Sequence, residues 1–154
     1  MKLVSAALLA TLVLAAGLAR AQQGGKQDGS AEDAENLPHL NEIMAQQQMR
    51  HIKLWFAGNA GNWPLADYEL DQLKDGFDDV AKLLGGDIAQ QHVGAAISQL
   101  EKAIASKDRE AFASAFDQLS TGCNACHGTL DHAFIVIQRP ALAPYGDQNF
   151  STPR

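Results

Sequence analysis

The chain has 154 residues, with 12 Lys or Arg against 18 Asp or Glu and a formal net charge of −6 at pH 7. This length suits one domain rather than two. The negative charge argues against nucleic acid or an anionic membrane surface as a partner. It fits either a basic protein partner or an acidic surface that serves only to keep the protein in solution.

The first 21 residues have the pattern of a secretory signal peptide. A positive start at Met1-Lys2 precedes an almost unbroken apolar run over residues 3–18, and Ala19-Arg20-Ala21 supplies the small-x-small cleavage pattern. The run is too short for a transmembrane span, although an uncleaved anchor is the alternative. We therefore predict export to the periplasm and a soluble mature chain that begins at Gln22. Losing the two positive residues of the signal takes its formal charge from −6 to −8.

The rest of the chain divides into a leader, a helical domain and a tail. Residues 22–35 are polar and rich in Gly, Gln and Asp, so we predict a disordered leader. Over residues 36–132 the apolar spacing predicts four amphipathic helices with short connections, which favours an all-α antiparallel four-helix bundle. Residues 133–154 contain three prolines, and we predict an irregular tail that packs on the bundle.

Turn residues and apolar seams mark the four predicted helices. The first begins near Pro38 and stops in the run 58–62, and Gly85-Gly86 ends the second. Asp87 and Asp108 are the predicted N-caps of the third and fourth. The seams comprise Leu40, Met44, Gln47, His51, Leu54 and Gly58; Leu70, Leu73, Phe77, Val80 and Leu84; Val93, Ala96 or Ile97, Leu100 and Ile104; and Phe112, Phe116, Leu119, Cys123, Cys126 and Leu130.

The chain's two cysteines stand in the sequence Cys-Asn-Ala-Cys-His, which ends at His127. A disulfide between Cys123 and Cys126 would close too short a loop to stabilise the fold much. C-x-x-C-H is the attachment pattern of c-type haem. Residues three apart on a helix face the same side, so both thiols can reach the two vinyl groups along one porphyrin edge. We predict one covalent haem c, with His127 as the proximal iron ligand.

Two other uses of a Cys-x-x-Cys sequence fit the chain less well. A thioredoxin-like redox pair needs a βαβ context, and no sustained two-residue alternation predicts strands here. A zinc site needs four ligands, and no second Cys or His pair has suitable spacing.

The sixth iron ligand has two candidates on the first helix, which should face the haem. His51 is the first, because a histidine on an apolar seam needs a partner. Met44 is the second, because a thioether is a normal haem ligand, although methionine also fills core gaps. An iron with an open sixth position is the third alternative. Arg50 and Lys53 flank the seam and are candidates to pair with the haem propionates, or else form a solvated face.

A four-helix pattern with CNACH near its C-terminal end resembles the class II c-type cytochromes, the cytochrome c′ and cytochrome c-556 group. Residues 50–70 are also similar to bacterial exported monohaem cytochromes of unassigned role. The resemblance to cytochrome c′ implies an open distal position and gas binding, whereas that to c-556 implies a methionine from the first helix and electron transfer. Two features depart from the group: 27 residues follow His127, and a histidine stands on the first seam.

These observations favour a one-electron carrier that exchanges electrons with redox protein partners, rather than an enzyme. The alternative is a module that binds a small gas such as NO or CO at an open or displaceable position. A peroxidase is the weaker third hypothesis, because only His51 is available as a distal acid-base group. An apolar face of the first or second helix could serve a homodimer as well as the core.

Overall fold

The computed structural model describes residues 39–152; the predicted signal peptide (1–21), the leader (22–35) and residues 36–38 lie outside this range. Within it the chain forms four helices and no strand. The helices are α1 (Leu40–Ala60), α2 (Trp63–Leu84), α3 (Ile88–Ser106) and α4 (Arg109–Thr129). The predicted all-α fold class is confirmed. No helix among the described residues is both long and apolar enough to cross a bilayer.

Local chemistry sets the helix ends. Gly61 and Gly85 follow α1 and α2 in the left-handed conformation, with φ of 75° and 72°, which glycine adopts without steric cost. Asp108 caps α4, since its carboxylate accepts from two N–H groups of the first turn at 3.0 Å each. Asp87 stands at the predicted N-cap of α3, but its side chain makes no capping hydrogen bond.

The helices pack in a closed ring. α1 packs on α2 and α3 on α4 most extensively, and the α2–α3 and α1–α4 contacts complete the ring. The largest fully buried side chains all lie on the predicted seams, because those seams turn toward the common centre. One seam residue, Leu84, is exposed at the very end of α2. The fully buried side chains are Leu54, Leu70, Leu73, Val93, Leu100, Phe112, Phe116 and Leu119.

Residues 131–152 form neither helix nor strand. They run from the C-terminal end of α4 back toward the α1–α2 turn, over the side where α1 meets α4. Phe150, near the end of this tail, is buried in the core. In chain order the tail contacts are Ile137 with Asn124, Arg139 with Asp117, Tyr145 with Lys53, Phe150 with Phe56 and Ser151 with Asn62.

Candidate haem-attachment site

The Cys-Asn-Ala-Cys-His segment occupies the end of α4. Cys123 and Cys126 are both free thiols and both partly exposed, one turn of helix apart. Gly122, just before them, lets α3 approach closely, because a Cβ there would lie 2.5 Å from the backbone oxygen of His92. Because Cys123 and Cys126 are three residues apart on α4, both sulfur atoms lie on the same side of the helix.

The surroundings of the two thiols oppose thiolate chemistry. Burial, and secondarily the neighbouring Cys126, raises the pKa of Cys123 to about 12. Burial also raises the pKa of Cys126. Disulfide-exchange centres depend on a thiolate that positive charge or a helix N-terminus stabilises. This pair lies at a helix C-terminal end and stays protonated, so a thioredoxin-like role is disfavoured.

The imidazole of His127 has one nitrogen committed and one free for a ligand. Its Nδ1 lies 2.9 Å from the backbone oxygen of Ile135 in the tail. Since a carbonyl oxygen can only accept, Nδ1 carries a proton, and in the neutral ring the lone pair is therefore on Nε2. Metal-ligating histidines characteristically donate their other ring N–H in this way, which fixes the tautomer and the ring orientation. The side chain of His127 is only partly buried.

Asn124, between the two cysteines, holds the tail next to His127. Its Nδ2 donates to the backbone oxygen of Ile137 at 2.8 Å, and its Oδ1 accepts from the Ile137 N–H at 2.7 Å. Neither Asn124 nor the carbonyl of Ile135 is among the site residues predicted from the sequence. Two features of the sequence could have indicated the contact. Asn124 has an amide that can donate and accept at once, and the apolar run 134–137 has no predicted partner strand.

His51 reaches the α4 side of the bundle, within one turn of Cys123. Its Nε2 lies 2.9 Å from Oγ of Ser120, and its ring centre is 4.3 Å from that of Phe116. Ser120 donates its own proton to the Phe116 backbone oxygen at 3.1 Å, so His51 is the donor in the first bond. Burial lowers the pKa of His51 to about 4 and keeps the ring neutral at pH 7. To bind iron, Nε2 would have to leave Ser120.

Along the bundle axis, Met44 lies nearer to His127 than His51 does. The two helices run antiparallel, and His51 of α1 contacts Ser120 of α4. Met44 precedes His51 by seven residues and His127 follows Ser120 by seven, so Met44 and His127 are displaced in the same direction by about two turns. Met44 is half-buried against the core. Of the two distal candidates, His51 contacts α4 directly, and the register of the antiparallel helices puts Met44 near His127 along the bundle axis.

Arg50 and Lys53, the two cations that are candidates to meet haem propionates, each have a partner on α2. Arg50 donates through Nη1 to the backbone oxygen of Gln72. Lys53 pairs with the buried carboxylate of Glu69 at 3.5 Å. These contacts connect α1 to α2, and neither involves Cys123 or Cys126.

The side chains at the end of α4 are those that the C-x-x-C-H pattern predicts for haem attachment. Among residues 39–152 no three His, Cys, Asp or Glu side chains are arranged to hold a bare metal ion. What α4 presents is two thiols and one tautomer-fixed imidazole. In the tail segment that contacts His127 and Asn124, Phe134 and Val136 are 78% and 70% exposed, which leaves apolar surface open to solvent. A groove of about 300 Å³ between α2 and α3 is lined by neither the motif nor any other α4 residue.

No protein-family model, curated protein or solved structure matches this chain. The resemblance to the class II cytochromes therefore stays a prediction from the sequence.

Proposed function

We propose that this chain is an exported monohaem c-type cytochrome of the class II type that transfers single electrons between redox proteins. One observation carries the proposal: His127 donates Nδ1–H to the tail and keeps Nε2 free, directly after two reduced thiols on one helix face. Two thiols for attachment and one oriented imidazole for the iron form the set that C-x-x-C-H chemistry uses.

Each residue of the motif has a definite task in this proposal. Cys123 and Cys126 would each add S–H across a vinyl group, so one C–S bond and one C–H bond form and nothing leaves. His127 would bind the iron through Nε2. The bound haem would supply the one-electron redox chemistry, and the chain sets its potential through ligands, burial and hydrogen bonds.

A carrier keeps its iron six-coordinate, so a second ligand from α1 belongs to the proposal. His51 is our first candidate because burial holds it neutral, and a neutral imidazole is the form that ligates. Met44 is the second, because it lies near the level of His127 in the antiparallel pair of helices. His/Met ligation would give a higher potential than His/His ligation.

A second function is favoured by the bond between His51 and Ser120. While Nε2 donates to the hydroxyl at 2.9 Å, it cannot bind iron. If that bond persists and Met44 stays in the core, the sixth position is open. The protein would then bind a small gas such as NO or CO, as the resemblance to cytochrome c′ implies.

Two measurements on the exported protein test these proposals. Intact mass should show one haem on the wild-type chain and none on a Cys123→Ala/Cys126→Ala variant; a wild-type chain of bare polypeptide mass would refute the cytochrome proposal. The reduced optical spectrum separates the two functions. A sharp low-spin band unchanged by CO supports the carrier, and a high-spin spectrum that shifts promptly with CO supports gas binding.

A further inference from the structure

The tail reaches the proximal histidine through a specific pair of residues. Asn124 and the backbone of Ile137 exchange two hydrogen bonds of 2.8 and 2.7 Å, the geometry of a strand pairing made by a side chain. Ile135, two residues earlier, accepts the Nδ1–H of His127 at 2.9 Å. A backbone segment held at Ile137 has little freedom at Ile135, so the first contact fixes the second.

We propose that Asn124 is a positioning residue for the iron ligand: it clamps the tail so that the Ile135 carbonyl holds and polarises His127. This inference rests on the proposed haem attachment. It gives the second residue of the C-x-x-C segment a role that its position alone does not require. It also means that the tail after His127 orients the proposed iron ligand, in addition to covering the bundle.

The polarity of the hydrogen bond predicts its effect on the iron. An Nδ1–H that donates to a carbonyl makes the imidazole a more basic ligand. A more basic ligand stabilises oxidised iron more than reduced iron, and so lowers the reduction potential. Releasing the carbonyl should therefore move the midpoint potential to a more positive value.

The inference can be tested on the haem-loaded full chain with two variants that leave its charge unchanged. Each removes a contact at a different end of the tail. Asn124→Ala removes both bonds to Ile137. Phe150→Ala removes a buried tail side chain whose ring centre lies 5.6 Å from that of Phe56, in the second half of α1. We expect Asn124→Ala to speed amide hydrogen exchange at Ile137 and to shift the potential positively. Phe150→Ala should leave the potential at the wild-type value.

Two outcomes would overturn the inference while haem attachment stands. One is faster exchange at Ile137 in Asn124→Ala with an unchanged potential, because the clamp would then not act on the iron. The other is an equal positive shift in Phe150→Ala, which would mean that any loosening of the tail has the same effect. A wild-type chain without haem would instead overturn the proposed function, and this inference with it.

Discussion

The imidazole of His51 donates from Nε2 to the hydroxyl of Ser120 at 2.9 Å, across the contact between α1 and α4. Ser120 lies one turn before Cys123, so this buried pair connects α1 to the part of α4 that precedes the Cys-Asn-Ala-Cys-His segment. Both residues are nearly inaccessible to solvent. The pair has two consequences that can be measured, one for stability and one for the iron.

We expect the stability of the fold to fall in mild acid because of His51. Burial lowers its pKa from 6.5 to about 4. Between pH 6.5 and about 4, His51 therefore binds a proton in the unfolded chain but not in the folded chain. The neutral ring therefore makes its full contribution to the free energy of unfolding above pH 6.5. As the pH falls toward 4, about 3 kcal/mol of that free energy is lost. Denaturant unfolding across this range measures it.

A His51→Gln variant is the matched control for that pH dependence. Its amide can still donate to Ser120, but it does not titrate between pH 4 and 6.5. The difference in unfolding free energy between wild type and variant should change by about 3 kcal/mol across the window. Parallel curves for the two proteins would show that His51 is not responsible.

The distal ligand can be assigned by spin state. We predict that His51→Ala converts the reduced iron to high spin, because the neutral imidazole within one turn of Cys123 is lost. Met44→Ala should leave it low-spin. Optical spectra of the two haem-loaded variants make the comparison. The reverse pattern would assign the iron to Met44, and a high-spin wild type would favour the gas-binding function.

Gly58 is required by the close approach of α1 to α4. A Cβ at this position would lie 2.1 Å from the ring of Phe112, which is fully buried, so the ring or the helix would have to shift. We expect Gly58→Ala to lower the free energy of unfolding by about 1–3 kcal/mol. Gly86→Ala is the control, since nothing lies within 4 Å of its Cβ. Equal stability of the two variants would mean that the helices can separate at no cost.

The buried carboxylate of Glu69 depends on Lys53. Burial raises the pKa of Glu69, and Lys53 at 3.5 Å opposes that rise. We expect Lys53→Met to cost about 2 kcal/mol at pH 7, less than for a fully buried pair because the amine reaches solvent. The cost should shrink as the pH is lowered, because burial raises the pKa of Glu69 and a protonated Glu69 no longer needs the amine. Unfolding free energies of wild type and variant, measured at pH 7 and at successively lower pH, check it.

An exposed pair provides the comparison for Lys53. Lys74→Met breaks a 2.8 Å contact with Glu101 at the surface and should cost less than about 1 kcal/mol. Haem attachment and the reduction potential should be unchanged in Lys53→Met, because this lysine faces α2. A shifted potential would support the alternative that Lys53 meets a haem propionate.

Much of the fold could be predicted from spacing alone. Apolar residues at steps of three and four mark the faces that must leave water, so the seams through Leu54, Leu73, Leu100 and Phe116 identify most of the core. Asp108 and Gly61 mark helix ends because their chemistry is local. The C-x-x-C-H segment is equally local, so the prediction of the haem site needed no tertiary information.

The path of the tail and the partners of the polar seam residues were decided only in three dimensions. No periodicity says that Asn124 meets Ile137, or that Ile135 meets His127, because these contacts depend on where an irregular segment folds back. Arg50 and Lys53 look equivalent to haem-facing cations in sequence, yet the rotation of α1 turns them to α2. Sequence periodicity determines which residues are buried; only the packed helices determine which buried polar groups meet.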